Sequence, residues 1–483
     1  MSDRGEPRLV LAVRAWDALR AAYENWDLDA VEAELKRRLD KRLRAASLLG
    51  QRSLAREFRV VALPSNAPIP QGLDISPIEF RRMLVFGLLM TGGPDAARAL
   101  AASVDRAFGP DASIGADLVV SSAQEAGRFW SHWCPGEAGY GLLGDRAAAL
   151  RTMRADQAPL AAAGLPGPER VNLVLVDTGL PAGLLPPLGQ FRGWPVLEDP
   201  ANPAGPVRLP ANPLTPHGEM VARNACAVVH VPAPGAGLRL LDCPVIPDGI
   251  MNLPVFLHSV TAALFAVWAT IAWLRAQEAA AQAPNRAGWV ICNAWGVFDP
   301  SLEPPEVPYS DNPGHPVAVV LRWLEEQRAD IVFAAGNCGQ FCPNWRCNPD
   351  FTGPGRSING ANALDQVLTV GAVRTDRLWL GYSGQGPGIA NMAQQKPDLC
   401  APSQFEDEDD VGPNTGTSAA CGLAAGAVAL LRTRWRPGVV DPAALRAALR
   451  QEAEQPDGPA GWRDRTGHGI LHLTRAAGRL NAP

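Results

Sequence analysis

Three short segments of the sequence carry, in chain order, a carboxylate, an imidazole and a hydroxyl, the groups used in nucleophilic hydrolysis. Asp177 ends an apolar run, His217 begins an apolar-periodic segment, and Ser418 precedes a run of small residues. A strand that ends in Asp177 would place the carboxylate at the carboxyl edge of a parallel sheet, where it can orient an imidazole. A helix that begins near Ser418 would stabilise negative charge developing at its hydroxyl. The pattern indicates Ser418 as nucleophile and His217 as general base and then general acid.

Each segment alone also has a purely structural explanation. Asp177-Thr-Gly suits a strand-to-turn junction, and Thr417 or Ser418 could serve as the N-cap of a helix. Asn337, which follows Val-Phe-Ala-Ala-Gly, could be a turn residue beside glycine. The combination of all four, in this order, favours a catalytic site.

Taken together, these segments resemble the subtilisin-like serine peptidases, whose catalytic order is Asp, His, Ser. The resemblance extends over about residues 170–477 and includes Ser-Gly-Gln-Gly-Pro at 383–387 and Lys-Pro-Asp-Leu-Cys-Ala-Pro at 396–402. It implies a serine endopeptidase that cleaves peptide bonds through an acyl-enzyme on Ser418. It also implies that Asn337 donates its side-chain amide to the tetrahedral intermediate, beside the backbone N–H of Ser418.

The resemblance further implies a cleft for an extended peptide. The segment 288–296 resembles the family's strand that pairs with substrate and forms one wall of the main specificity pocket, a mode that makes little demand on substrate sequence. The residues implied to bind substrate are Ala294, Trp295, Gly296, Ala334, Ala335 and Gly336. The chain departs from the family at Glu219, Met220 and Arg223, which affects the cleft wall, and at Ala294 and Gly422, neither of which removes a catalytic atom.

The composition predicts a folded chain, and a glycine- and proline-rich segment divides it into two domains. Hydrophobic residues make up 47% of the 483 positions and charged residues 19%, which is far from the composition of disordered proteins. The formal net charge of −5 gives no global electrostatic case for binding nucleic acid or an anionic membrane. The Gly/Pro-rich segment 164–168 predicts a boundary between an accessory domain, 1–165, and a peptidase domain, 166–483.

Hydrophobic periodicity predicts a different architecture for each domain. The peptidase domain alternates strand-length apolar runs with helical patterns, which predicts an α/β fold, a subtilisin-like parallel sheet flanked by helices on both faces. The accessory domain is predicted to be mainly helical. The predicted strands are 59–63, 171–176, 288–292, 330–335 and 367–373, and the predicted helices are within 17–56 and at 78–90, 94–108, 255–281 and 316–329.

Residues 251–274 contain no charged side chain and are long enough to cross a bilayer. The resemblance implies a helix here between two parallel strands, so we expect no membrane span; a membrane-anchored interaction protein is the alternative. The outer face of that helix, with Ala262, Ala266, Ala269 and Trp273, is also uncharged, whereas a helix covering a sheet normally shows polar residues to water. We therefore expect the N-terminal region to dock on this face.

The nine cysteines predict a reducing compartment, because an odd number leaves at least one thiol unpaired. The first residues lack the apolar core of a secretory signal, so we expect a cytoplasmic protein. Cys338, Cys342 and Cys347 could bind zinc together with His315, but their spacing favours a disulfide or free thiols.

The acidic run 406–410 is expected to be a solvated loop, with calcium binding or selection of basic substrates as alternatives. We expect no cofactor for the chemistry and place no metal site, although structural calcium is compatible with the sequence. The expected partners are protein or peptide substrates, with a regulatory partner at residues 1–165 as a further possibility. The alternative function is a catalytically silent or latent peptide-binding protein that a partner regulates.

Overall fold

A computed structural model describes most of the chain. The described residues are 7–14, 16–25, 27–45, 57–62, 83–122, 141–156, 171–181, 216–230, 238–246, 255–282, 287–406 and 413–481. The predicted domain boundary at 164–168 lies outside them, as does all of the acidic run except Glu406.

The N-terminal unit is built on a four-stranded antiparallel sheet, with the order β2-β3-β1-β4. Its strands are β1 (Arg8–Arg14), β2 (Phe58–Ala62), β3 (Met83–Met90) and β4 (Ala112–Ala116), and its helices are α1 (Asp17–Glu24), α2 (Leu28–Ala45) and α3 (Gly93–Phe108). With α1 and α2 counted as one helical connection, the chain order is β-α-β-β-α-β, that of the split βαβ motif. One face of the sheet packs on these helices through alternate residues of β1, Leu9, Leu11 and Val13.

The N-terminal domain was predicted to be mainly helical; its described residues combine these helices with the four-stranded sheet, and the strand at 59–63 and the helix at 94–108 are confirmed. The predicted helix over 78–90 is a strand from Met83 onward, and residues 78–82 lie outside the described part of the chain. Met83–Met90 is apolar at nearly every position because both faces of its sheet are buried. A short continuous apolar run of this kind does not distinguish strand from helix by its period.

The peptidase unit contains the predicted parallel sheet, with six strands in the order β13-β12-β11-β9-β6-β7. The four strands predicted here are confirmed. The sequence did not predict two further strands of this sheet, Leu238–Pro244 and Leu399–Pro402. The sheet strands are β6 (Val171–Asp177), β7 (Leu238–Pro244), β9 (Gly288–Asn293), β11 (Asp330–Ala334), β12 (Leu368–Val373) and β13 (Leu399–Pro402). Three further short strands, β5 (Val119–Ser122), β8 (Val255–Phe256) and β10 (Trp295–Gly296), form a separate sheet.

Helices cover both faces of the parallel sheet, as predicted. Alternate residues of β6 face opposite layers: Leu173 and Leu175 pack in the core with α5 and α8, and Val174 and Val176 pack in the core with α6 and α7. The helices of this unit are α4 (Arg146–Thr152), α5 (His217–His230), α6 (Leu257–Ala280), α7 (Pro316–Glu326), α8 (Gly416–Arg432), α9 (Pro442–Glu452) and α10 (Leu473–Leu480).

The long apolar helix α6 is buried by both units. It is long and apolar enough to cross a membrane, yet two thirds of its most apolar window, 67%, is buried within the fold. The second face of the N-terminal sheet, with Val10, Ala12 and Val85, packs on Ala262 of α6. The expected docking on this face is confirmed, but strands rather than helices make the contact.

Helices α5 and α8 approach closely because glycine stands at their contact points. A Cβ atom on Gly422 would lie 2.7 Å from the carbonyl oxygen of Val221, and one on Gly426 would lie 2.8 Å from the Cα atom of Ala225. Both contacts step forward by four residues on each helix, so the helices run side by side in the same direction.

We predict that Gly426→Ala lowers the free energy of unfolding by about 1–3 kcal/mol, because the added methyl group must push α5 away from α8. The matched control is Gly478→Ala in α10, where no atom lies within 4 Å of the added Cβ atom. That control should be neutral or stabilising by about 0.5–1 kcal/mol, since alanine is the better helix former. Urea denaturation measures both; equal effects of the two substitutions would contradict close packing of α5 on α8.

Candidate active site

Asp177 ends β6 at the carboxyl edge of the parallel sheet, where the sequence placed it. Its Oδ1 atom accepts hydrogen bonds from the backbone N–H of Thr178 at 2.7 Å and from Nδ1 of His217 at 2.5 Å. Its backbone oxygen accepts from the N–H groups of Val245 and Ile246. The carboxylate is therefore held on a buried strand and oriented toward one imidazole.

His217 is the first residue of α5 and is fully buried. The hydroxyl of Thr178 accepts a hydrogen bond from the N–H of Gly218 at 3.0 Å, which satisfies one free amide of the first turn. Gly218 leaves room for this turn, because a Cβ atom there would lie 2.5 Å from the carbonyl oxygen of Gly179. Asp177, Thr178 and Gly179 thus fix both the imidazole and the start of its helix.

Ser418 lies at the start of α8, opposite His217. Gly422 of α8 contacts Val221 of α5, and Gly426 contacts Ala225. One helical turn earlier on each helix, the same side-by-side packing brings Ser418 of α8 next to His217 of α5. The Ser418 hydroxyl donates to the carbonyl oxygen of Ala294 at 3.2 Å. Within the described chain, Nε2 of His217 is buried and has no hydrogen-bond partner. The hydroxyl must therefore rotate away from Ala294 before the imidazole can take its proton.

Asn337 follows β11 and is linked directly to the helix that carries Ser418. Its Oδ1 atom accepts hydrogen bonds from the backbone N–H of Thr417 at 2.9 Å and from the Thr417 hydroxyl at 2.8 Å. The chain turns at Gly336, whose φ of 85° favours glycine. These two bonds fix the Asn337 side chain against the first turn of α8.

A small open cleft is lined in part by Asn337. Its walls include Gly296, Ala335 and Gly336, three of the six residues expected to bind substrate. The other three take supporting positions: Ala294 accepts from Ser418, Trp295 buries its ring against Phe333 at 5.1 Å between centroids, and Ala334 is a β11 strand residue.

The sequence did not reveal several residues that line or shape this cleft, among them Phe298, Ser357, Asn359 and Asn362. The side-chain amide of Asn362 donates to the backbone oxygens of Trp295 and Ala334, and so ties together the two strands beside the cleft. Among the residues that line the cleft there is no charged side chain. No local motif marks Ser357, Asn359 and Asn362, because they lie in a segment more than 20 residues beyond the end of β11.

The short strand β5 occupies the position expected for an extended peptide. It pairs antiparallel with β10 on one side, through Ser121 with Gly296 and Ser122 with Trp295, and antiparallel with β8 on the other. Since Ala294 precedes Trp295 and contacts the Ser418 hydroxyl, β5 runs toward the nucleophile. A segment of the chain itself therefore pairs with the strand expected to hold substrate.

The three cysteines beyond Asn337 do not form a zinc site. Cys338 and Cys347 form a disulfide, and Cys342 is also disulfide-bonded. His315 lies elsewhere, at the start of α7 against the N-terminal unit. The part of the chain that the structure describes holds no group of three or more potential metal ligands. Disulfides are typical of oxidising compartments, so they do not favour the cytoplasmic location, which stays a prediction.

Comparison with known proteins gives one family match and several distant structural likenesses. The structures include fervidolysin from Fervidobacterium pennivorans, a keratinolytic enzyme related to subtilisin, at 16% identity over 100% of this chain and 62% of that one, with a TM-score of 0.47. Another is the epidermin leader peptide processing serine protease EpiP from Staphylococcus aureus, at 14% identity over 99% of both chains, with a TM-score of 0.48. No curated protein matches the sequence.

The family match is to the subtilases and spans residues 269–469. This span is less than half of the chain; it contains Asn337 and Ser418 and begins after Asp177 and His217. Residues 269–469 are thus similar to the subtilase family, and this match supports a serine protease.

Proposed function

We propose that this subtilase is an endopeptidase whose catalytic residues are Asp177, His217 and Ser418, and that its own strand β5 keeps it latent. The observation that carries the catalytic proposal is the 2.5 Å bond between Asp177 and His217 on a helix that runs beside the helix of Ser418. This arrangement of three residues far apart in the sequence supports assigning them as a nucleophile, a base and an orienting carboxylate.

In the proposed reaction, Nε2 of His217 takes the proton of the Ser418 hydroxyl as its oxygen attacks the carbonyl carbon of the scissile peptide bond. The negative charge that develops on the carbonyl oxygen is stabilised by the amide of Asn337 and the backbone N–H of Ser418. The imidazolium then gives its proton to the leaving amine as the C–N bond breaks. In the second half of the reaction, Nε2 of His217 takes a proton from a water molecule as the water attacks the ester carbon. The imidazolium then returns this proton to the Ser418 oxygen as the acyl group is released.

Asp177 has a positioning role in this scheme. Its carboxylate accepts the Nδ1 proton of His217, which leaves Nε2 unprotonated and aimed at the nucleophile. The buried unpartnered state of Nε2 is consistent with this tautomer, because a bare nitrogen acceptor is available for the Ser418 proton.

The pairing of β5 with β10 supports latency. Val120 is 3% exposed and packs in the same hydrophobic cluster as Trp295, whereas Val119 is 44% exposed. A substrate segment would need the backbone groups of β10 that β5 already occupies. Residues 8–122 would then act as an internal inhibitor, and substrates would be extended protein segments that replace β5.

A catalytically silent peptide-binding protein is the competing function. It shares the groove and the β5 pairing, but it has no need for an imidazole nitrogen that is buried without a partner opposite a serine. The two functions differ in whether Ser418 reacts as a nucleophile.

We predict that a fluorophosphonate forms one covalent adduct on the chain, seen by intact-mass spectrometry, and that Ser418→Ala forms none. The reagent phosphonylates a serine only when a base activates its hydroxyl, so no knowledge of the substrate is needed. His217→Ala should also lose the adduct. If neither the wild-type chain nor a variant with β5 displaced is labelled, the catalytic proposal fails.

The latency proposal predicts that Val120→Arg speeds labelling of Ser418 by about tenfold or more, because a buried unpaired charge displaces β5 from its pocket. The control is Val119→Arg, on the exposed side of the same strand, which should change the rate by no more than about twofold. Initial labelling rates of the uncleaved chains provide the comparison. If β5 is displaced in Val120→Arg and Ser418 is nevertheless labelled at the wild-type rate, β5 does not block the site.

A further inference from the structure

Two buried histidines lie where the N-terminal unit meets the peptidase unit, and the proposed mechanism uses neither. His258 is the second residue of α6, and His315 is the N-cap residue of α7. Both are essentially inaccessible to solvent, at 0% and 1% exposure. Each therefore lies at the start of a helix on which the N-terminal unit rests.

The imidazole of His315 is bound as a neutral ring. Its Nε2 atom donates to the backbone oxygen of Ala116 at 2.9 Å, across the interface, and its Nδ1 atom accepts from the N–H of Val317 at 3.3 Å. The ring lies so close to Gly115 that a Cβ atom there would be 2.1 Å from it. The N-terminal unit thus closes directly over this ring.

A positive charge on His315 is unfavourable in this position. Burial lowers the pKa of His315 to about 4, although the hydrogen bond to Ala116 and the negative charge of Asp117 oppose the change. Protonation would also place a hydrogen on Nδ1, facing the Val317 N–H, at the positive end of the α7 dipole. The bound arrangement therefore requires the neutral form.

The charged groups around His315 are already engaged with other partners. Asp117 accepts from Nδ1 of His258 at 2.8 Å and from its backbone N–H at 2.9 Å, and forms an ion pair with Arg8 at 3.6 Å. Burial opposes ionisation of Asp117, but His258 and Arg8 outweigh it and lower the pKa of the carboxyl. In the preceding loop, Glu303 accepts from the N–H groups of Tyr309 and Ser310.

Helix α7 itself provides no negative charge near His315, since its first turn has no acidic residue. The ring of Tyr309, 5.0 Å from that of His315, is neutral because burial raises its pKa. Within the described part of the chain, Asp117 is the anion whose charge acts on His315, and Asp117 is shared with His258 and Arg8.

We propose that His315 is an acid-sensitive latch: its protonation weakens the contact between the N-terminal unit and helices α6 and α7, and so frees β5 from the cleft. The consequence for activity rests on the proposed latency, but the weakening of the interface does not.

Acid is expected to weaken the contact between the two units, because protons bind more tightly to the separated state. Separation exposes His315 to water and returns its pKa from about 4 toward the ordinary 6.5, so the separated state binds the proton more tightly. The contact is at full strength above pH 6.5 and weakens as the pH falls toward 4. Between pH 7.5 and pH 5 the opening equilibrium should rise about 30-fold.

Hydrogen exchange of the full chain carrying Ser418→Ala tests this without any catalysis. The amides to follow are Ala116, which donates to the Val307 oxygen, and Leu257, which donates to the Leu118 oxygen, because both bonds cross the interface. After correction for intrinsic exchange, the opening constant should rise about 30-fold from pH 7.5 to pH 5. The amides of β9 should keep their protection and thereby exclude general unfolding.

Two variants and one titration complete the test. His315→Gln keeps a donor and an acceptor but cannot titrate, and should reduce the acid response to about threefold or less; His258→Gln should retain it. A response that persists in His315→Gln, or is absent from the parent chain, would overturn the latch. An NMR titration giving His315 an ordinary pKa in the intact chain would overturn it as well, even if the variant folds poorly. If the interface opens with acid while Ser418 labelling stays unchanged, the latch stands and the proposed latency fails.

Discussion

The close parallel contact of α5 and α8 is the constraint on which the site depends. Glycines at 422 and 426 let the backbones approach, and the four-residue steps of both helices carry that contact back to His217 and Ser418. The parallel sheet beneath supplies the other groups, because Asp177 ends β6 and Asn337 follows β11 at the same carboxyl edge. The geometry of the proposed catalytic site is thus a consequence of helix packing and strand direction.

The N-terminal unit covers an apolar helix face that the peptidase unit leaves unburied. Helix α6 is apolar on both faces, and exposing its outer face would leave a large hydrophobic patch. The sheet of β1 and β3 covers that face, and the segment after β4 continues into the cleft as β5. Under the proposed latency, one docking event buries apolar surface and fills the substrate position, which would couple the stability of the fold to restraint of the proposed protease.

Much of this could be predicted from the sequence, and the exceptions have physical reasons. The strand before Asp177 and the helix at Ser418 are predictable because each is a local pattern, and the uncharged face of α6 predicts a covering partner. The strand Met83–Met90 was mistaken for helix because its sheet is buried on both faces. The pairing of β5 with β10 joins residues more than 170 positions apart, and only a long-range backbone register could reveal it.

The most direct test of the central claim, that β5 lies in the cleft as a substrate would, is to map where the purified chain cleaves itself, by intact-mass analysis and N-terminal sequencing over time. Because β5 runs toward Ser418, the account predicts one principal cut shortly beyond Ser122 in the wild-type chain and none in Ser418→Ala. A chain that stays intact, that is cut elsewhere, or that is cut equally in Ser418→Ala would contradict it.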